Sequence, residues 1–596
     1  MNLLNRPVRS LLGGYRGIFF VVAATPPDPG GEFDCLLRQF LLCCHAEFFM
    51  QSKIRPVVGR SIVSTRRGIV AASHPLAARA GTEILERGGN AVDAVIAANA
   101  MIGLIEPGSN GLGGDLFLIY HEASSKKIHG LNASGGAPSA LTRQFLQSKG
   151  ITEMPATGIQ TVTVPGVAAG WDMLARRFGN KPLSELLAPA IYYAEEGFPV
   201  TEVIAAGWAN AVERLSQYPN SAKTYLHNGR APAVGEIFRN PDLARSLRRI
   251  AERGRDGFYK GPTAEAIVRV SRELGGAMSA ADLEDFQPEW VTPIQTTYRG
   301  WAIHELPPNT TGIAALLMLN IMEQFPLGDW GFHTTKSLHV MIEAKKLAFA
   351  DLLRYIGDPS ASKLPVETLL SKSHAQERAR LIDMKRAAPR VEPAHLPAYT
   401  TSAGNDTIYL CAIDAKGNIA SLIQSIYSGF GSAIVPNGTG FALHNRGALF
   451  TLEPGHPNTL EPRKRPLHTI IPAFMEKDGV RIGFGIMGGF NQPQAHAQFV
   501  AGIVDYGFTI QEALEAGRFT KLTFEGCDVD IEPSIPKRVR TELQALGHEL
   551  NVAPPRSGVF GWGQAVMSDA QGVHYGASEP RHDGAAIPQF GPVFAS

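Results

Sequence analysis

The sequence predicts an α+β protein in which helices are layered over sheets. Two observations carry this. Residues 167–274 read as mainly helical, with Trp171-Asp172-Met173-Leu174 and Leu183 to Gly197 the clearest pieces. After Thr407 the chain turns β-rich, with apolar runs at Ile408 to Ile413, Ile419 to Ser425, Gly440 to His444 and Val480 to Met487. Helices and strands that alternate in blocks fit stacked layers.

Each element has a local reason. Gly68 to Pro75 is a strand ending in a turn, and the fold is expected to begin near Gly68. Leu76 to Arg87 is rich in Ala, Leu and Glu and is stopped by Gly88-Gly89. Asn90 can cap a helix over Ala91 to Leu104 that is apolar nearly all round, so it should be buried. The glycine-rich run Gly108 to Asp115 leads into a strand, Leu116 to His121. So many glycines imply close backbone approach, either to a ligand or to the chain itself. Asn132 to Pro138 reads as a loop and Thr161 to Gly166 as a strand entering a turn. Trp290 to Glu305 alternates like two strands around Tyr298-Arg299-Gly300. Helices follow at Ile313 to Glu323 and His339 to Ile356, then a proline-punctuated connector over 358–404 with a short helix, Gln376 to Met384. Helices over Gln494 to Tyr506 and Thr509 to Ala516 precede closing strands within Gly563 to Ser578.

Composition narrows the function. The 596 residues are 44% hydrophobic and 19% charged, as in globular proteins, with a formal charge of +1. That balance gives no electrostatic case for nucleic acid or an anionic membrane. No apolar run approaches a membrane span. Five cysteines, three of them before residue 45, make no disulfide framework, and no Cys/His spacing resembles a zinc site. No cofactor is expected. His444, His468 and His496 are read as hydrogen-bonded structural residues rather than metal ligands. Residues 1–49 form an extension outside the fold. Arg6, Arg9 and Arg16 before Ile18 to Ala24 mimic a secretory signal, but a second apolar stretch follows. The expected compartment is the cytoplasm, with export as the alternative if residues 1–24 act as a signal.

Chemistry centres on Asn405 to Asp414. A polar run, Thr400 to Asp406, meets an apolar strand at Thr407, and Asp414 to Asn418 supplies a hairpin turn. By itself a threonine at a strand start is an ordinary β-branched residue. Gly483-Phe484-Gly485-Ile486-Met487-Gly488 is a literal G-x-G-x-x-G after a strand, a weak dinucleotide signal.

The ordered set of motifs is more specific. Gly88 to Ala94, Glu106 to Gly114, Ala194 to Phe198, Ala348 to Asp351, Thr407, Asp414 to Asn418, Phe430 to Ser432, Lys464 to Pro466, Gly488-Gly489 and Asp583 to Ala586 together resemble the gamma-glutamyltransferase family across about residues 68–590. The resemblance implies an N-terminal-nucleophile hydrolase with an αββα sandwich, cut by itself between Asp406 and Thr407. It implies a large subunit, 50–406, bound to a small catalytic subunit, 407–596, with a higher oligomer left open. Cleavage frees the α-amino group of Thr407, whose pKa near ~7.7–8.0 suits it to take the hydroxyl proton. By the same resemblance Ser425 supports the nucleophile and the backbone of Gly488 and Gly489 binds the oxyanion.

The family's amino-acid clamp is absent. Where the family has an arginine for the substrate α-carboxylate, this chain has Ser134. Where it has an acid for the α-ammonium, Gly447-Ala448-Leu449 carries no charge. The serine pair is His468-Thr469, and an asparagine is Tyr427. Arg446, His468, Thr469 and Tyr427 are therefore the candidate substrate-binding residues. The pattern looks closer to oxamate amidohydrolase and glutaryl-type cephalosporin acylases. The expected reaction is hydrolysis, or transfer to an amine, of a small carboxylate-bearing amide. Ordinary gamma-glutamyl transfer or glutathione hydrolysis is the alternative, and a processed but inactive scaffold a further one.

Overall fold

A computed structural model of the chain describes residues 59–394 and 406–591. The extension over 1–49 and the connector ahead of Asp406 lie outside them. No helix among the described residues is long and apolar enough to cross a membrane.

The centre is two antiparallel seven-stranded sheets. The first comprises β1 (Val63–Thr65), β6 (Ile294–Tyr298), β7 (Trp301–Glu305), β10 (Ala473–Lys477), β11 (Val480–Ile486), β12 (Gly563–Ser568) and β13 (His574–Ser578). Its order is β1-β13-β12-β11-β10-β7-β6. The second comprises β2 (Ile69–Ala72), β3 (Asp115–Glu122), β4 (Lys127–Ala133), β5 (Glu289–Val291), β8 (Asp406–Ile413), β9 (Ile419–Tyr427) and β14 (Ala585–Pro588). Its order is β14-β2-β8-β9-β3-β4-β5.

The two-residue period of the strands sets the layers. On β8, Tyr409, Cys411 and Ile413 join Ile419, Ile423, Phe474 and Val566 in the core between the sheets. The alternate residues Ile408, Leu410 and Ala412 pack on α1 (Pro75–Glu86), α2 (Ala91–Ile105), α3 (Val167–Phe178) and α4 (Leu183–Glu196). On the far side, Ile482, Phe484 and Ile486 pack on α5 (Gly312–Met322), α6 (Thr335–Tyr355) and α7 (Gln492–Val504). The result is an αββα sandwich.

Helix α2 is buried nearly throughout, as its composition requires. Asn90 caps it, its side chain accepting from the Val92 and Asp93 amides while Asp93 accepts from the Asn90 amide. Asp414 Oδ2 accepts from Ala91 N (3.1 Å), and its Oδ1 accepts from the amides of Lys416 and Asn418. One aspartate thus closes the β8–β9 hairpin and fastens it to a buried helix.

Several expectations need correction. Thr161 to Gly166 is not a strand; a short 3-10 turn, Ile159–Thr161, leads into extended chain held by Val164 N to Gly136 O (3.1 Å). Buried β-branched residues there have no neighbouring strand to pair with. Gly440 to His444 forms only a single bridge, Gly113 to Leu443, and Gly440 has φ +75°. Asn132 and Ala133 belong to β4 rather than a loop. The first strand among the described residues is β1, before Gly68. The short helix lies at Lys372–Ala379 rather than at Gln376 to Met384.

The glycines of the G-x-G-x-x-G serve sheet-on-sheet packing. A Cβ on Gly485 would strike the Tyr409 ring, and one on Gly483 would meet Ile419 Cγ2 at 2.8 Å. The cluster at 111–114 likewise faces the chain itself, Gly113 against the Ala442 carbonyl and Gly114 against that of Ser425.

Candidate active site

Thr407 starts β8 beside the end of β9. The register slips between Asp406, opposite Tyr427, and Ile408, opposite Gln424. This bulge leaves Thr407 with no directly opposed partner, and bulges commonly re-aim a side chain at a functional site. Tyr427 has φ +79°, a conformation costly for any residue but glycine. Thr407 is 2% exposed.

Its hydroxyl donates to Ser425 Oγ at 3.3 Å. Ser425 Oγ also accepts from Tyr427 N (2.8 Å) and Arg446 Nη2 (2.9 Å). Gln492, at the start of α7, places Nε2 3.4 Å from Thr407 Oγ1, and its Oε1 accepts from Ile471 N (3.0 Å). Sequence reasoning missed Gln492. The only signal is its place three residues after Gly489, where a helix begins. Gly488 and Gly489 have φ +120° and +57°, in the region that favours glycine. A Cβ on Gly488 would lie 3.2 Å from Asn491 Cβ.

Arg446 is completely buried. Its Nη1 donates to Thr469 Oγ1 (2.8 Å), and its guanidinium lies 4.4 Å from the centre of the Tyr427 ring. Nε has no hydrogen-bond partner, and no carboxylate lies within ion-pair distance among the described residues. Burial pulls its pKa down to about 10, opposed by Tyr427 and by the Asp115 carboxylate. It remains a cation at neutral pH, and a buried cation without a direct counter-ion is costly.

The structure therefore brings Thr407, Ser425, Tyr427, Arg446 and Thr469 into one network. His468 turns elsewhere: its Nε2 lies 3.0 Å from Asp115 Oδ2, and its ring packs edge-on against Phe117. Burial, then the Arg446 charge, pushes His468 down to about 3, so the imidazole is neutral. Burial alone would raise the Asp115 carboxyl, but His444 and His468 together hold it below the usual range. Asp115, opposite Ser425 across the β9–β3 pair, is the anion behind Arg446. Ser134 forms no ion pair or charged hydrogen bond among the described residues. Its Oγ donates to Asn132 Oδ1 (2.7 Å), within a buried amide network with Asn309.

The histidine trio is divided. His444 and His468 meet at Asp115, while His496 Nε2 accepts from Ile486 N and its Nδ1 donates to Glu305 (2.8 Å). A separate group, His339, Glu343 and His548, holds three ligand-type atoms within 4.8 Å of one another. Hydrogen bonding accounts for it. His339 Nδ1 and His548 Nε2 are 2.8 Å apart, and the Lys346 ammonium, 2.7 Å from Glu343, already supplies the cation.

The buried histidines predict acid lability. Burial lowers His74, His121, His304 and His333 to about 4, and His456, His468, His496 and His548 to about 3, from an ordinary 6.5. Between those values the unfolded chain binds protons that the folded chain does not. Their contribution is therefore complete above pH ~6.5 and is lost as pH falls through ~4 toward ~3. Melting temperature should drop steeply between pH 6.5 and 4.5, with uptake of several protons on unfolding. A flat profile over that range would contradict the assignment.

Two facing antiparallel sheets, helices on both outer faces, and a threonine hydroxyl at the start of an inner strand define an N-terminal-nucleophile hydrolase. The gamma-glutamyltranspeptidase family model matches residues 77–589, and the chain belongs to that family. The glutathione hydrolase-like YwrD proenzyme of Bacillus subtilis is 35% identical over 537 residues, which is 89% of this chain and 100% of its own length. The oxamate amidohydrolase proenzyme of Klebsiella pneumoniae is 34% identical over 540 residues, 88% of this chain and 99% of its own. A crystal structure of cephalosporin acylase from Bacillus halodurans matches with a TM-score of 0.84 and 42% identity, covering 91% of this chain and 99% of that one. The chain is an enzyme of this amidohydrolase and acyltransferase class.

Proposed function

We propose that the chain cuts itself between Asp406 and Thr407 and then uses Thr407 to hydrolyse or transfer the acyl group of a carboxylate-bearing amide. The observation that carries this is the convergence on Ser425 Oγ of the Thr407 hydroxyl, the Tyr427 amide and the buried Arg446 cation. After the cut, the free α-amine of Thr407 takes the hydroxyl proton as Oγ1 attacks the acyl carbon. The N–H groups of Gly488 and Gly489 receive the oxyanion. The C–N bond breaks and the leaving nitrogen takes the proton held by the α-amine. Water or an amine then attacks the ester on Thr407, and the hydroxyl regains its proton. The buried Arg446 cation receives the substrate carboxylate.

The acyl group is read in two ways. Relatives named glutathione hydrolase support a gamma-glutamyl group, with glutathione among the substrates. No carboxylate among the described residues lies within ion-pair distance of Arg446, and the Ser134 hydroxyl bonds only to amides, which favours an acyl chain that has the carboxylate but no ammonium. Two chromogenic amides separate these readings, because gamma-glutamyl-4-nitroanilide and glutaryl-4-nitroanilide differ only by the ammonium. A kcat/KM about tenfold or more in favour of the first supports gamma-glutamyl recognition, and the reverse ratio supports the second. If the processed protein turns over neither, nor glutathione, the reading as a carboxylate-amide hydrolase fails.

A further inference from the structure

Gln492 uses its two ends differently from the other glutamines on its helix. Gln494 Oε1 accepts from Lys521 N (2.9 Å) and its Nε2 donates to Lys521 O (3.2 Å). Gln498 does the same with Phe519 N (3.2 Å) and Phe519 O (3.1 Å). Those two side chains fasten α7 to the backbone beside it. Gln492 is completely buried, and only its acceptor is used that way, on Ile471 N (3.0 Å). That bond fixes which way round the amide sits, because a backbone N–H can be met only by Oε1. Nε2 therefore faces Thr407 Oγ1, 3.4 Å away. Ile471 lies two residues beyond Thr469, which holds Arg446, so one stretch of chain orients both groups.

We infer that Gln492 is a catalytic residue that acts on Thr407 Oγ1 as a leaving group, speeding breakdown of the acyl-enzyme more than its formation. This role presupposes Thr407 as the nucleophile, as proposed above. Charge decides the direction. While Oγ1 attacks, a hydrogen bond donated to it stabilises the oxygen but also draws off the electron density that attacks, so the two effects offset. Once Oγ1 carries the acyl group, the effects add. The donor draws electrons from the ester and opens the acyl carbon to water. Water adds to that carbon and gives a proton to the Thr407 α-amine. The bond from the acyl carbon to Oγ1 then breaks, its electron pair stays on Oγ1, and the α-ammonium returns the proton there. Nε2–H faces the oxygen on which that charge develops. At 3.4 Å the resting bond is long, which fits a contact that tightens as the charge appears. The proposed self-cleavage ends in the same way. Oγ1 attacks the Asp406 carbonyl carbon, the Thr407 nitrogen departs with the hydroxyl proton, and water hydrolyses the resulting ester.

The acyl adduct itself can be followed. Gln492→Glu keeps an acceptor for Ile471 N and loses the N–H, and Gln492→Leu, which brings no charge, controls for the new carboxylate. Processed protein is mixed with whichever of the two nitroanilides it turns over. Release of 4-nitroaniline times acylation, and mass spectrometry of the quenched 407–596 chain times decay of the adduct. In both variants decay should slow on the order of 10²-fold, the effect of removing one preorganised donor, with acylation within about fivefold of wild type. kcat and KM should then fall together while kcat/KM holds. Equal decay in wild type and variants overturns the role, and so does equal slowing of both steps, which a merely displaced Thr407 would give. If a variant is not processed, hydroxylamine applied to the denatured precursor decides. Cleavage before Thr407 reveals a stalled ester and supports the role; an intact chain overturns it. A wild-type protein that turns the anilide over with no adduct on the 407–596 chain overturns the reading of Thr407 itself.

Discussion

Thr407→Ala protein will remain one chain of 64.1 kDa and will hydrolyse no amide. The unaltered protein will separate into pieces of about 44 and 20 kDa, the shares carried by residues 1–406 and 407–596 if the extension is retained. The argument is chemical. A hydroxyl is a weak nucleophile until a base takes its proton, and no histidine bonds the Thr407 hydroxyl among the described residues. His468 is committed to Asp115, and His444 to Asp115 and Thr163. In the proposed mechanism the α-amine exposed by the cut is the base for turnover, while the Thr407 hydroxyl oxygen is the nucleophile in both self-cleavage and turnover, so both depend on that oxygen. Removing it should cost on the order of 10⁴-fold or more in kcat, the scale seen when a nucleophile is deleted. Thr407→Ser keeps both hydroxyl and amine and should still be cut. Electrophoresis and mass spectrometry of the new N-terminus, alongside an amide assay, decide the matter. An uncut Thr407→Ala chain that hydrolyses amides at the normal rate would falsify the mechanism. A cut but inert wild-type protein would support the scaffold reading.

Much of the sandwich was legible because its signals are local. The Asn90 cap, the Asp414 turn and the alternation through β8 and β9 each follow from a few neighbouring residues. Elements that depend on distant partners were not. The run Thr161 to Gly166 has strand composition but no strand beside it, and Gly440 to His444 is bent by a glycine at φ +75°. The site divides in the same way. Thr407 is an ordinary strand residue by local pattern, and only the ordered motifs of the family single it out. Gln492 reaches the network through a contact 85 residues away in sequence, and Asp115 through its place opposite Ser425 across a strand pair, and no spacing announces such contacts. Arg446 was expected near the substrate. Its complete burial, with no carboxylate partner among the described residues, became visible only in three dimensions.

That burial gives the second large effect. Arg446→Met should lower kcat/KM for a carboxylate-bearing amide by about 10²-fold, corresponding to roughly 3 kcal/mol for the loss of a desolvated charge pair. An uncharged acyl anilide of the same length should be affected far less. Stability should move the other way or hold still. A guanidinium confined by Thr469, Ser425 and the Tyr427 ring, with Nε unpaired, keeps much of its desolvation cost in the empty protein. Methionine fills similar space without that cost and leaves two hydroxyls that can bond to each other or to water. Melting temperature should therefore be unchanged or raised, and self-cleavage should continue, since Thr407, Ser425 and Gln492 are untouched. The loss should also be constant from pH 6 to 9, because the Arg446 charge persists to about pH 10. A structural cation would give the opposite pattern, with a lower melting temperature and all substrates weakened alike. The two outcomes separate cleanly because only a substrate-binding charge makes the empty site less stable than the occupied one.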